Sequence, residues 1–483
     1  MKKTVFAVSA ALAFLFCACD RNSADCLDAI PGNSQAVLRI NPAALQKSGV
    51  DLSSAIDELN AAWNDEYDAD IPYKGIDLQS DIYAFLSTEG RSNHFVGVTF
   101  ALSDPKAFAS SCSSAGRVKH DGDVDYIVDF DDVTIAWSGK AGIMLAGLDD
   151  QDSGRMADLA VSLLSGGQVP GGQFVATPSY GSLKSVKGPV AGIIDYSLYM
   201  DILDDNDVDF DEIVGEIGEY DRKLSRALKA WDYSDLAVVF GVDFDGEVMG
   251  LDVKAVSPRG TNDALIAESL SMLPAIKSSS LAKLSSSSQA GLLLGFSGPA
   301  ILDWLKKNTD SFSELSDEFD EALEEIGLDG SLSLAKLLGS IDGVAALGFD
   351  GVTGDEIPKV TLSLPAGNIY DDVVGLLQEA AGDELVRSGN GWSFEMDGAD
   401  VTFQKDGGDI VLSTFSQGGS KGSLPPAVAS ACAGKAMAMF ADVDGILSIV
   451  SELTYDDDDV RQARKFLRKY FKDTRYVVIS VGR

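Results

Sequence analysis

Nucleophilic catalysis in this chain would have to come from Ser280-Leu-Ala-Lys283 or Ser333-Leu-Ala-Lys336. Each fits Ser-x-x-Lys, the spacing at which a lysine amine reaches a serine hydroxyl across one helical turn. The companion motifs of penicillin-interacting enzymes are missing, and so short a pattern arises often by chance. Metal chemistry would have to come from Asp205, Asp207, Asp209 and Asp211 with Glu216, carboxylates spaced like the ligands of a calcium loop. The sixth position, where that loop needs glycine for its turn, is Phe210, and acidic residues ahead of a helix start are favourable without any ion. No bound metal is therefore expected. His94 and His120 are the only histidines, and both fall in predicted solvated connections. With no His-Glu-x-x-His and no Cys-x-x-Cys, zinc is not expected either. No Gly-x-Ser-x-Gly elbow occurs, and no phosphate-cradling glycine pattern follows a strand, so no cofactor is expected and no catalytic residue is nominated. Trp63, Trp137, Trp231, Trp304 and Trp392 would make a carbohydrate platform if exposed together, but the helical and strand spacing of three of them predicts core packing.

Cys19 carries the most specific chemistry. Lys2 and Lys3 open a charged start, residues 5–16 form an apolar run too short to span a bilayer, and Ala18 places a small residue before the cysteine. This is the pattern of a bacterial lipoprotein signal: residues 1–18 are removed, and the Cys19 thiol accepts a diacylglyceryl group. Cys17 is the poorer acceptor because Phe16 precedes it. The expected partner is thus a membrane, reached through the N-terminal lipid, with residues 19–28 as a tether. The 75 acidic against 38 basic residues give a net charge of −37, which repels nucleic acid and anionic headgroups. Cys26, Cys112 and Cys432 form an odd set that permits at most one bridge. Cys112 shares a helical face with Phe108, and Cys432 sits among small residues, so both read as buried hydrophobes.

The elements beneath these residues repeat. Gln35 opens a strand over 35–40, followed by Asn41-Pro42 at a helix start; Gln289 opens another over 289–294, followed by Gly298-Pro299. Proline suits the first helical turn because its missing N–H would be unpaired there anyway. Strands at 82–87 and 95–100 are matched by strands at 344–349 and 359–364, each pair followed by a helix, one from Asp104-Pro105 and one over 368–381. Alternating runs joined by glycine turns at Gly139 and at Gly407-Gly408 predict antiparallel meanders with one buried face. A shorter unit follows each meander. In the first half it has a strand at 190–194, one amphipathic helix carrying Ile213 to Trp231 at helical spacing, and a strand at 236–240. In the second it has a strand at 436–440, a helix over 456–472, and a strand at 476–480. A further strand, 247–256, occurs only in the first half, and the serine-rich stretch 278–285 reads as a linker.

The lipid signal, the phrase from Ala29 to Asn41, and Gly75-Ile76-Asp77-Leu78 ahead of a strand resemble a family of Bacteroidota-type lipoproteins grouped as domain of unknown function 4836. The resemblance implies a cell-envelope lipoprotein of the outer membrane, on its periplasmic or surface face, and carries over no functional residue. The expected fold is α+β, with antiparallel β-sheets packed against amphipathic helices in two pseudo-equivalent halves, 29–277 and 286–483. The expected function is a non-enzymatic binding or scaffold role. The alternative is a hydrolase of envelope or external polymers working with carboxylates alone. An apolar groove between the halves favours the first, and two facing carboxylates with raised pKa favour the second.

Overall fold

Alternation of apolar and polar residues in the chain becomes strand pairing in the structure. The computed structural model describes residues 24–67, 71–89, 93–130, 133–148, 153–167, 169–205, 209–325, 332–352, 357–396, 399–415, 424–445, 447, 465, 469 and 473–483. The leader 1–18, Cys19, Asp207 and all of the expected helix 456–472 but Lys465 and Lys469 lie outside the described residues. The strands are β1 (Ala36–Ile40), β2 (Ile82–Glu89), β3 (Asn93–Ala101), β4 (Lys119–Asp121), β5 (Val124–Phe130), β6 (Val133–Ser138), β7 (Ala141–Gly147), β8 (Val190–Asp195), β9 (Ala237–Asp245) and β10 (Val248–Val256). They continue with β11 (Ala290–Ser297), β12 (Asp342–Val352), β13 (Pro358–Leu364), β14 (Val386–Ser388), β15 (Gly391–Met396), β16 (Ala399–Asp406), β17 (Asp409–Ser413), β18 (Met437–Asp442) and β19 (Tyr476–Val481).

All of them join one sheet of 19 strands. Its neighbours run β4, β5, β6, β7, β3, β2, β1, β8, β9, then β10, then β19, β18, β11, β12, β13, β17, β16, β15, β14. Every contact is antiparallel except that of β10 with β19, which is parallel over Val248–Val253 and Tyr476–Val481. The protein is α+β, and a single sheet runs through both of the expected halves.

Both faces of the sheet are covered in its first part. On one face Leu38, Ile82, Val98, Phe100 and Met144 pack with Phe108 and Cys112 of the helix Pro105–Ala115 and with Trp63 of the helix Leu52–Tyr67. On the other, Val37, Phe85, Phe95, Ile143 and Leu145 pack with Met156, Ala160 and Leu163 of the helix Ser153–Leu164 and with Leu183 of the helix Pro178–Ser185. Asn41 and Asp104 cap their helices as their sequence positions suggest, each accepting N–H bonds from the first turn. Among the described residues no helix is long and apolar enough to cross a membrane.

Three expectations are corrected. The single helix read through Ile213 and Trp231 is two helices, Phe210–Tyr220 and Arg222–Leu228. Asp221 breaks it by leaving helical geometry, at φ −138° and ψ 95°, to cap the second helix through Leu224 N. The apolar period survives the break because Ser225 bonds back to Val214 O at 2.9 Å and holds both helices against each other. The histidines sit on strands rather than in connections: His94 in β3, beside Asp201, and His120 in β4, paired with Asp125. The short strands β4 and β14, fully exposed, offered no alternation to read. The serine-rich stretch is packed rather than loose, since Leu281 and Leu284 enter the core beside Leu293 and Phe440.

Asp221 also reaches across the chain. Its second carboxylate oxygen accepts N–H bonds from Asp310 at 2.9 Å and Ser311 at 3.1 Å, and the Ser311 hydroxyl at 3.0 Å. Burial alone would raise this carboxyl, but the bonds from Leu224, Asp310 and Ser311 outweigh it and hold the pKa down at about 2. An unfolded aspartate titrates near ~3.9. The folded value being the lower, the contribution is complete above ~3.9 and is lost as pH falls toward about 2. Asp221→Asn is expected to cost about 2 kcal/mol at neutral pH, with the gap to wild type closing across that acidic window. Urea unfolding followed by circular dichroism at several pH values measures this, and a gap that does not change with pH would remove the charge from the account.

Candidate functional site

A concavity lies where β9, β10 and β19 form the middle of the sheet. Register pairs Gly250 with Asp243 and with Val478, and Asp252 with Gly241 and with Ser480. These residues share one face with Lys254 and Asp245 and floor a groove of about 510 Å³. One wall is the end of the helix Pro178–Ser185 with Val186 and Lys187; the other is the helix Pro426–Cys432 with Lys435. Arg39 fixes the first wall by donating to Val186 O at 3.0 Å and Gly188 O at 3.3 Å. Gly241 permits that wall to lie close, since a Cβ there would meet Lys187 O at 2.6 Å. Gly250 is different: a Cβ there would meet only Asp243 O, at 4.0 Å, so its lack of a side chain leaves the floor open.

The groove is polar and mixed in charge. Lys435 Nζ lies 2.7 Å from Asp252 Oδ1, which also accepts the Ser480 hydroxyl at 2.9 Å. Asp243 and Asp245 stand along β9, and Lys187 and Lys254 complete the set. An apolar groove was the expectation for a binding role; the groove found at this place has walls that mix apolar residues with serines and lysines over an ionic floor. The aspartates whose titration moves, Asp221, Asp232 and Asp235, all move down, and none of them lines the groove. Burial would raise Asp235, but the hydroxyls of Ser257 and Thr261 and the N–H groups of Arg259 and Thr261 outweigh it, so the residue stays ionised and ties the turn ahead of β9 to the segment that follows β10.

The residues singled out from the sequence disperse. Asp205 ends the helix Tyr196–Asp205, Asp207 is not described, and Asp209 Oδ1 caps the next helix through Asp211 N at 2.8 Å and Glu212 N at 3.1 Å. Asp211 and Glu216 lie exposed along that helix. Phe210 packs on Tyr233, with ring centroids 5.0 Å apart. Among the described residues no group of three acidic, histidine or cysteine side chains is placed to hold a metal. In the Ser-x-x-Lys pairs both lysines are engaged: Lys283 with Asp409 at 2.8 Å and Lys336 with Asp372 at 2.7 Å. Ser333 caps a helix by accepting Lys336 N. Cys26, Cys112 and Cys432 are buried, and burial pushes the Cys112 thiol up to about 12 and, against an opposing pull from Lys435, that of Cys432 to about 11. Of the tryptophans, Trp63 and Trp137 are buried as expected and Trp392 packs on the core. Trp231 and Trp304 are only half-buried and meet in one cleft.

The groove residues had no local signature. Asp252 and Ser480 are 228 positions apart, and their only mark is a polar face on strands that otherwise look ordinary. Asp252 is half exposed, and such pairs contribute little to stability. Asp252→Asn is therefore expected to cost under about 1 kcal/mol. Lys283→Met, which strands Asp409 in a pair only 18% exposed on each side, is expected to cost about 3 kcal/mol. Urea denaturation of the two variants checks the order, and a larger loss at Asp252 would make the groove's charges structural. Comparison of the chain with protein families, with curated proteins and with solved structures returns no match, so the groove's chemistry rests on its own residues.

Proposed function

We propose that this protein is a cell-envelope lipoprotein, anchored through Cys19 in the outer membrane, that binds a ligand rather than transforming it. Its body is an internal duplication, with pseudo-equivalent halves at 29–277 and 286–483. The repeated strand order supports the duplication, and so do matched details. Gln35 N donates to Leu86 O and Gln289 N to Phe349 O, each at 2.8 Å. Asp195 N donates to Gln35 O at 2.7 Å and Asp442 N to Gln289 O at 2.6 Å. The hairpin glycines Gly139 and Gly407 have φ of 56° and 60°, and Gly122 and Gly389 have 58° and 56°.

The observation that carries the binding reading is the groove at the junction of the halves, open at Gly250, with ionic groups that the fold spares. Mixed charge over a groove of this size suits a polar ligand held by several hydrogen bonds. The lipid anchor is supported by the residues around Cys19 and by the resemblance to envelope lipoproteins. A carboxylate hydrolase gains no support, because no aspartate with a moved titration is raised.

Two measurements test the reading. Palmitate labelling of cells is expected to mark wild type and leave Cys19→Ser unlabelled; equal labelling would remove the anchor. Native mass spectrometry of the full lipoprotein extracted in detergent is expected to show a bound molecule that Gly250→Phe lacks, recovered chemically unchanged after incubation. The same bound mass in both proteins would move binding away from the groove, and conversion of the molecule would favour an enzyme.

A further inference from the structure

A second cleft, sharing no residue with the central groove, lies among the helices Arg222–Leu228, Asp263–Ser271 and Gly298–Asn308. Its volume is about 420 Å³, within the range of small-ligand sites. Trp231, just past the end of the helix Arg222–Leu228, and Trp304, within the helix Gly298–Asn308, both line it, with Leu265 and Met272. Both indoles are half-buried, as is Trp392 on the core, whereas Trp63 and Trp137 are 1% and 4% exposed. The cleft pair thus keeps exposed indole surface beside a cavity.

The charge around the cleft runs against the rest of the molecule. In a chain with 75 acidic and 38 basic residues, Lys223, Arg226 and Lys307 line this cleft with Glu268 as its single carboxylate. Lys307 pairs with Glu268 at 2.7 Å, and Lys223 pairs with Asp310 at 3.0 Å outside the lining. Both pairs are well exposed, at 66% and 45% on the lysine side, so the lysines can change partner at little cost. Arg226 is exposed and makes no ion pair among the described residues.

We propose that this cleft binds an acidic saccharide, with the indoles of Trp231 and Trp304 against sugar rings and Arg226 on a carboxylate. The chemistry is specific on both counts. An indole offers a large apolar face with a polar edge, which suits the C–H faces of a pyranose whose hydroxyls point outward. A guanidinium forks onto a carboxylate through two parallel hydrogen bonds, and a lysine alongside adds a point charge. A neutral glycan would leave the cations unused, and a small inorganic anion would leave the indoles unused. The overall negative charge repels anions at long range, but screening at physiological salt limits that field to about 8 Å, so contacts inside the cleft decide the affinity.

The test is titration of the full lipoprotein in detergent with trigalacturonate and with cellotriose, followed by tryptophan emission and calorimetry. Trigalacturonate is expected to saturate the emission change and cellotriose to leave it unchanged. Arg226→Gln, an exposed change that the helix tolerates, is expected to weaken trigalacturonate binding about tenfold or more. Trp231→Phe and Trp304→Phe are each expected to weaken it while keeping the far-ultraviolet spectrum of wild type, and Gly250→Phe in the central groove is expected to leave it unchanged. Three results would overturn the proposal: equal binding of cellotriose, full affinity in Arg226→Gln, or no saturation up to about 10 mM trigalacturonate. Displacement of trigalacturonate by an equal concentration of uridine monophosphate would reassign the cleft to planar aromatic anions.

Discussion

The parallel pairing of β10 with β19 makes one sheet out of what would otherwise be two. β10 leaves β9 through the Gly246 turn and pairs with it along its whole length, then offers its other edge to the last strand of the chain. Further bonds fasten both ends of the joint: Arg475 N and Tyr476 N donate to Glu247 O, and Gly482 N donates to Val253 O. An open edge on β10 or β19 would present a row of unpaired backbone groups, a template for aggregation. The joint removes both edges at once. Those left, β4 and β14, are three-residue strands with Lys119, Asp121 and Arg387, short and charged in the way exposed edges usually are.

The direction of that joint also fixes how the proposed duplicates face each other. β9 is antiparallel to β10 and β10 is parallel to β19, so β9 and its counterpart β19 run in opposite senses. Strands related that way correspond to a two-fold axis normal to the sheet near β10, and both copies then present the same face to the same side. The helices Pro178–Ser185 and Pro426–Cys432, each just ahead of the corresponding strand β8 or β18, therefore stand on one side and become the two walls of one groove. The two parts of the sheet differ in their cover. The helix Ser153–Leu164 lies over β5, β6 and β7, where Ile143, Leu145 and Phe95 are apolar. Beyond β10 the described residues include no such helix, and there β13 and β17 carry Thr361, Ser363 and Ser413 on one face. Ser363 donates to Asp409 at 2.9 Å and Ser413 to Phe415 O at 2.9 Å, so these hydroxyls are satisfied within the sheet itself.

Sequence periodicity was a good guide to this fold wherever a residue's role depends on near neighbours. Strand alternation and proline-led helix starts are local properties, and β1, β2, β3 and the helices from Pro42 and Pro105 stand where the pattern puts them. Asp221 defeated the reading because an acidic residue on the polar side of a helix and one that ends the helix look alike. What distinguishes it is Ser311, 90 positions away. The serine-rich stretch misled for a similar reason, since composition suggested a tether while two leucines in it, Leu281 and Leu284, decided its place in the core. The groove was beyond reach because its residues meet only through β10 and β19, a pairing that no local pattern specifies. The tryptophans were half legible: helical and strand spacing pointed three of them to core packing, but not that Trp231 and Trp304 would line one cleft.

The charge of −37 excludes less than it first suggests. At low salt net charge governs approach and disfavours polyanions such as nucleic acid, but at physiological salt it is screened beyond about 8 Å, and a site is judged by what lies within that radius. The acidic excess is spread over exposed helices such as Phe210–Tyr220 and Phe312–Glu325, where carboxylates near helix starts stabilise the dipole. Some basic groups do stand at concavities: Lys187, Lys254 and Lys435 beside three aspartates in the groove, and Lys223, Arg226 and Lys307 in the tryptophan cleft. Exposed ion pairs such as Lys307–Glu268 and Lys223–Asp310 contribute little to stability, so the charges lining each concavity, rather than the net charge of the chain, are what a group entering it would meet.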